Sequence, residues 1–277
     1  MEGPARPLRS LRPDSPPARR DERPSTSAAG RVYLVGAGPG AVDLLTVRAV
    51  RLLGRADIVF HDALVDAEVL ALAPQARLVA VGKRCGAHST SQRFINKRLV
   101  DAAGRHAVVV RLKGGDPMLF GRAQEEIDAL AAAGVDVEVV PGVTAALAAA
   151  ADLKLSLTRR GVARSVAFVT PRTGEGEAPH AWARTAAAAD TAAIYMGAGE
   201  AHEVVAALAA HGVPLDRPVM LVESASRPDV RTRRGALRDL PALAGDRGGG
   251  PALILLGEIG RAAGREAAVE PARSATA

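Results

Sequence analysis

Short apolar, β-branched runs alternate with helical patterns along most of this chain, and that rhythm restricts the fold more than any other feature. The first series is RVYLVG, ADIVFHD, RLVAVGK, HAVVVRLKGG and VDVEVVPG. Runs that are apolar on both alternating faces suit strands covered on both sides, and strands separated by helices suit parallel pairing. Between the first two runs, Leu45, Ala49, Leu52 and Leu53 fall at i, i+4, i+7 and i+8, one apolar stripe of a helix for which Thr46 is a suitable N-cap.

After the alanine-rich helix GVTAALAAAADL a second series follows: SVAFVT, TAAIYMG, PVMLVESA, RTRRGAL and PALILLGEI, with RTGEGEAPH as a loop. The expected architecture is α/β, with two α/β domains, each a mostly parallel or mixed sheet flanked by helices. The expected bounds are 31–150 and 151–261, between disordered tails over 1–30 and 262–277. With 277 residues, two modest domains are a natural division, and with aromatics at 3% the core must be built from Val, Leu, Ile and Ala.

Composition excludes several functions. One cysteine allows no internal disulfide framework or multi-cysteine metal cage. No apolar stretch is long enough to span a bilayer, and the head lacks a signal peptide's apolar region, so a cytoplasmic protein without membrane contact is expected. The formal charge is +6, but the Pro-rich head carries six arginines against four acids, leaving +4 on the rest. With no aromatic-studded basic run, nucleic acid is not an expected partner. The six histidines show no ligand spacing, and no metal is expected.

VYLVGAGPGAVDLL raises the question of a ligand. Gly36, Gly38 and Ala41 satisfy G-x-G-x-x-A between a strand and a helix, and Asp62 closes the next strand, as a nicotinamide-binding fold requires. A dehydrogenase is therefore one reading of that motif, and a plain structural turn is another. Pro39 argues against a dinucleotide, because it removes a backbone donor where a pyrophosphate would need one. A second glycine-acid turn, KGGDPMLFGR, follows the fourth strand. Two such turns at strand ends are expected to face each other across one cleft, which suits a compact ligand with a ribose and a carboxylate.

Taken together, VGAGPGAVDLLTVRAVRLLGRADIVFHDALV, VGKRCGAHSTSQ, VVRLKGGDPMLFGRAQEE, VEVVPGVTAALAAAA, LTRRGVARSVAFVT, IYMG and VESASRPD resemble the uroporphyrinogen-III C-methyltransferases of the tetrapyrrole methylase superfamily, in the family's order over about residues 31 to 260. The resemblance implies S-adenosylmethionine as methyl donor, held in a cleft between the two halves and released as S-adenosylhomocysteine, with no metal. It implies cofactor contacts at Pro39, Gly114, Gly115, Asp116, Leu119, Thr144, Ala145, Met196 and Ala225. Acid-base work would fall to Asp62 and Lys83, for which a helix N-cap and a solvated cation are the plainer readings. The implied reaction methylates two carbons of uroporphyrinogen III to give precorrin-2, feeding cobalamin or sirohaem synthesis, in a homodimer.

A substrate with eight carboxylates would give Lys83, Arg84, Arg111, Lys113, Arg122, Arg159, Arg160 and Arg164 a purpose, with Arg84, Arg122 and Arg160 the named substrate contacts. The chain departs from the family pattern at Cys85, at Met118 where phenylalanine is common, and at TPRTGEG in place of TGH. Bifunctional relatives fuse this module to a dehydrogenase and ferrochelatase domain, and the head here is expected to be too short and too polar to be such a domain. The rivals are a methyltransferase for a later corrin intermediate, a nicotinamide oxidoreductase and a basic nucleic-acid scaffold.

Overall fold

The computed structural model describes residues 30–82, 92–173 and 181–261. Nearly all of both expected tails, Lys83, Arg84, Cys85 and much of the RTGEGEAPH loop lie outside these residues.

The first sheet is built from β1 (Arg31–Gly36), β2 (Ile58–His61), β3 (Arg77–Ala80), β4 (Val108–Lys113) and β5 (Val137–Val140), in the order β3-β2-β4-β1-β5. Every pairing in it is parallel. The period of two sorts the side chains. Tyr33 and Val35 face a layer that includes α1 (Val47–Leu53) and α2 (Ala67–Leu70), with Ala49, Leu52, Leu53 and Val69 buried there. Val32, Leu34 and Val109 face α3 (Gln92–Ala103) and α4 (Ala123–Ala132), against Ile95, Leu99, Ala102 and Leu130. Of the predicted stripe, Ala49, Leu52 and Leu53 are buried on α1 while Leu45 precedes the helix and is half-buried, and the Thr46 hydroxyl accepts from the Ala49 amide at 3.2 Å.

Helix α5 (Ala145–Asp152) leads to a second sheet of β6 (Val166–Val169), β7 (Thr191–Tyr195), β8 (Pro218–Glu223), β9 (Arg231–Ala236) and β10 (Ala252–Gly257). Its order is β6-β7-β10-β8-β9, and it is mixed: β6 and β7 are parallel, while β10 runs antiparallel to both of its neighbours. One face packs on α6 (Trp182–Ala188), α7 (Ala201–Ala210) and α8 (Leu240–Gly245). The other receives α5, whose Ala146, Ala148 and Ala149 are buried with Met220, Val222, Leu253 and Leu255.

Parallel pairing puts the C-terminal ends of β1, β2, β4 and β5 on one edge, so the segments after Gly36, His61, Lys113 and Val140 are neighbours. Both β7 and β8 oppose β10, so the segments after Tyr195 and Glu223 also share an edge.

Asp190 ties the start of β6 to the start of β7: its Oδ2 accepts from the amides of Arg164 and Ser165 and from the Ser165 hydroxyl at 2.8–2.9 Å. The Arg164 amide first, then the Ser165 hydroxyl and amide, hold this carboxyl below its usual range. A lowered folded-state value contributes stability above the unfolded value of about 3.9, lost as pH falls through the folded value. Asp190→Asn is therefore expected to be less stable than the parent at neutral pH, and the gap in denaturation midpoint should close below about pH 4.

A side chain at Gly142 would strike the Gly115 carbonyl and stand 2.9 Å from Gly36 Cα. Gly142→Ala is expected to cost about 1–3 kcal/mol by overpacking, read from urea unfolding.

Candidate functional site

The turn after β1 and the turn after β4 do not face each other across a gap, as the sequence suggested. They are paired backbone to backbone: Gly38 N donates to Gly115 O at 3.2 Å and Gly115 N to Gly38 O at 2.7 Å. Both glycines have left-handed φ, +69° and +67°, and both lack the Cβ that would make such a turn costly. Ala37 N donates to Lys113 O, and Ala41 N to the Ser226 hydroxyl. Three amides of the first turn are thus engaged inside the protein, and Pro39 has none. A pyrophosphate finds few donors here, which removes the physical basis for a dinucleotide reading.

Three further contacts close a ring of segments. The Asp116 carboxylate accepts from Gly142 N at 2.9 Å through Oδ2 and from Met118 N at 2.8 Å through Oδ1, binding the second turn to the link between β5 and α5. Thr144 stands at the N-cap of α5, but its hydroxyl bonds to Tyr195 Oη at 2.7 Å, and Tyr195 Oη accepts from Ala146 N at 3.2 Å. A residue of the second sheet thereby satisfies the helix's free amide, and its burial raises the phenol's pKa. Ser226, next to Ala225, accepts from Ala41 and donates its own amide to Asp152 at 2.7 Å. The segments that hold Pro39, Gly114 to Leu119, Thr144 and Ala145, Met196 and Ala225 therefore meet.

Backbone strain concentrates in these segments. Phe120, Arg122, Met196, Ser224 and Ser226 have φ between 52° and 67°, although none is glycine. An aromatic cluster borders the ring: Phe120 and Phe168 stand 5.2 and 6.2 Å from Tyr195 between ring centroids. Leu64, Met118, Phe120, Phe168 and Met196 are exposed large apolar side chains. Arg227 reaches from the second half to Leu64 O and to Asp66 Oδ2, both at 3.0 Å, and its side chain fills the space over Gly40.

Asp62 is not a helix cap; Asp66 holds that place for α2. The Asp62 Oδ1 accepts from Arg111 Nη2 at 2.5 Å, and 31% of its side chain remains exposed. Its backbone lies against Gly82, the last described residue before Lys83.

Arg111 and Lys113 are corrected from substrate-carboxylate candidates to interior ions, each 3% exposed. Both point to the α4 side of β4 and meet Glu126, which is wholly buried. Lys113 has its proton affinity lowered by burial, then by Arg111, against the pull of Glu126 and Asp62. Arg122 is exposed and bidentate to Glu125 at 2.7 and 2.8 Å. Arg160 is exposed on the tight turn closed by Arg159 and Ala163, with no ion pair to the ring among the described residues.

Sequence reasoning did not single out Tyr195, Ser226, Arg227 or Glu126. For Glu126 a signal existed: Ala123, Glu126 and Leu130 form the buried stripe of α4, so this acid occupies a core position. For Tyr195 and Ser226 the partners lie 51 and 185 residues away, beyond any local pattern.

Comparisons with known proteins identify the family. The family model of Tetrapyrrole (Corrin/Porphyrin) Methylases matches residues 31–241. Siroheme synthase 1 of Klebsiella pneumoniae is 47% identical over 231 residues, which are 83% of this chain and 49% of that protein, so the chain spans about half of that relative. The uroporphyrinogen-III C-methyltransferase of Pseudomonas aeruginosa is 44% identical over 234 residues, covering 84% of this chain and 95% of that one. Among solved structures, the uroporphyrin-III C-methyl transferase from Thermus thermophilus complexed with S-adenyl homocysteine matches with a TM-score of 0.74 and 43% identity, over 84% of this chain and 100% of that one. The match runs from β1 to the start of α8 and takes in every segment of the ring, and on it the chain belongs to the tetrapyrrole (corrin/porphyrin) methylase family.

Proposed function

We propose that this protein transfers methyl groups from S-adenosylmethionine to two carbons of uroporphyrinogen III, giving precorrin-2 and two molecules of S-adenosylhomocysteine. The observation that carries the reading is the ring of hydrogen bonds joining Gly38, Gly115, Asp116, Gly142, Thr144, Tyr195, Ala41 and Ser226. It gathers Pro39, Gly114, Gly115, Asp116, Leu119, Thr144, Ala145, Met196 and Ala225, none of them a cation. A lining of small and apolar side chains with one carboxylate and no cation suits a sulfonium and an ammonium, where a phosphate would require donors or positive charge.

When bound, S-adenosylmethionine supplies an electrophilic methyl group. The chain's part is to hold both reactants in line and to exclude water, work that suits the apolar border of Leu64, Met118, Phe120, Phe168 and Met196. The substrate carbon forms its new bond to the methyl as the sulfur–carbon bond breaks, and the ring system then releases a proton. In this reading Asp62, held through Oδ1 by Arg111, takes that proton on Oδ2. Lys83 is the companion donor or carboxylate anchor in this reading, and Arg84, Arg122 and Arg160 the substrate contacts. A homodimer in the cytoplasm, feeding cobalamin or sirohaem synthesis, completes it.

Anaerobic incubation with S-adenosylmethionine and enzymatically generated uroporphyrinogen III is expected to add two methyl groups to the tetrapyrrole, with matching S-adenosylhomocysteine, read by mass and absorbance. No methylation alongside intact S-adenosylhomocysteine binding would move the substrate to another member of the tetrapyrrole series.

Asp116→Ala leaves two backbone amides without their acceptor, at roughly 1 kcal/mol each. Its affinity for S-adenosylhomocysteine should fall about tenfold by calorimetry, and an unchanged affinity would remove that wall from the site. Asp62→Ala should lower kcat by about 10²–10⁴ without changing that affinity.

A further inference from the structure

Glu126 lies below the site, on the buried stripe of α4 between Ala123 and Leu130. Its carboxylate is wholly enclosed, yet it makes four hydrogen bonds. Oε1 accepts from Arg111 Nε, Lys113 Nζ and Gln92 Nε2, and Oε2 accepts from Lys113 Nζ, all at 3.1 Å. With Asp62 the group is balanced, two carboxylates to two cations.

Packing alone does not explain this choice. Apolar residues of similar volume commonly match or exceed a buried ion network in stability, because the charges must be stripped of water. What the network does supply is direction. The guanidinium is a rigid planar fork, and each nitrogen of Arg111 has a different partner: Nε on Glu126, Nη1 on Leu112 O at 3.2 Å, Nη2 on Asp62 Oδ1. Fixing Nε and Nη1 fixes the plane, and the plane sets where Nη2 presents itself to Asp62.

We propose that Glu126 is a positioning residue for methyl transfer, acting through Arg111 to orient the Asp62 carboxylate. Lys113 is its counter-ion, bonded through Nζ to both carboxylate oxygens at 3.1 Å. The proposal rests on the reading of Asp62 as the proton acceptor.

The test compares two double variants of the full chain that differ only in whether residue 126 keeps an acceptor. Glu126→Gln with Lys113→Met removes one charge of each sign and leaves an amide oxygen for Arg111 Nε. Glu126→Leu with Lys113→Met removes the same charges and the acceptor, and continues the apolar stripe of Ala123 and Leu130. Each is titrated for competent sites with S-adenosylhomocysteine before turnover is measured. The glutamine pair is expected to keep kcat within about threefold of the parent. The leucine pair should lose about 10- to 100-fold in kcat, with S-adenosylhomocysteine affinity and the KM for uroporphyrinogen III unchanged within about twofold. Equal kcat in the two pairs, whether high or low, would overturn the proposal, since a merely structural role does not depend on the acceptor. Asp62→Ala separates the two layers of argument: parental turnover there would sink the reading of Asp62 itself, whereas a dead Asp62→Ala beside equal pairs would sink only the role of Glu126.

Discussion

Three backbones meet at the C-terminal edge of the first sheet with no side chain between them. A Cβ on Gly36 would lie 2.6 Å from Gly142 Cα and 2.7 Å from Gly115 O, so the end of β1, the turn after β4 and the link to α5 are in direct van der Waals contact. Everything above this point depends on it. Because Gly142 sits against Gly115, its amide reaches Asp116; because the link is held there, Thr144 starts α5 beside Tyr195 and the second sheet is set against the first. The site is therefore organised from the backbone outward, and its side chains inherit their positions from a contact that only hydrogen atoms on Cα permit.

Most strands are legible as apolar runs of ordinary length bounded by turn residues, the Arg-rich β9 being the exception, and the alternation with helices calls for parallel pairing in the first half. The mixed pairing of the second half has no such local signature. Nothing in PALILLGEI states that it will lie antiparallel between β7 and β8, a choice fixed by pairings between residues as distant in sequence as Gly257 and Thr191. The packing of α5 is equally silent. An alanine-rich helix with little asymmetry can close on either neighbour, and the buried methyls of Ala146 and Ala149 meet the second sheet.

Among the site residues, the glycine turns and Asp62 were readable as unusual residues at strand ends. Arg111 and Lys113 read from sequence as candidates for substrate carboxylates, although their own strand carries the contrary sign. In VVVRLK the period of two places both on the face of Val109, inside a sheet covered by helices, where a cation must find a buried partner. The matching acid was equally visible on the stripe of α4. Reading either element alone gives an anomaly; reading the two together gives the ion pair.

Two electrostatic regimes thus lie within one turn of chain from each other, and their separation has a chemical logic under the proposed reaction. None of the residues that would hold a sulfonium is a cation: Arg227, beside Ser226, is paired with Asp66 and Leu64 O, and Arg111 and Lys113, just before the second turn, are paired on the α4 side of β4 with Asp62 and Glu126. Left unpaired, either would repel a positively charged cofactor at short range in a medium of low dielectric, where such terms are large. Burying them with balanced acids keeps Arg111 available to orient Asp62 while its field is largely cancelled at the ring. Under the same proposal the carboxylates of a tetrapyrrole would be met elsewhere, by cations that keep access to solvent, a condition that Arg160 meets on its exposed turn and the buried Arg111 does not.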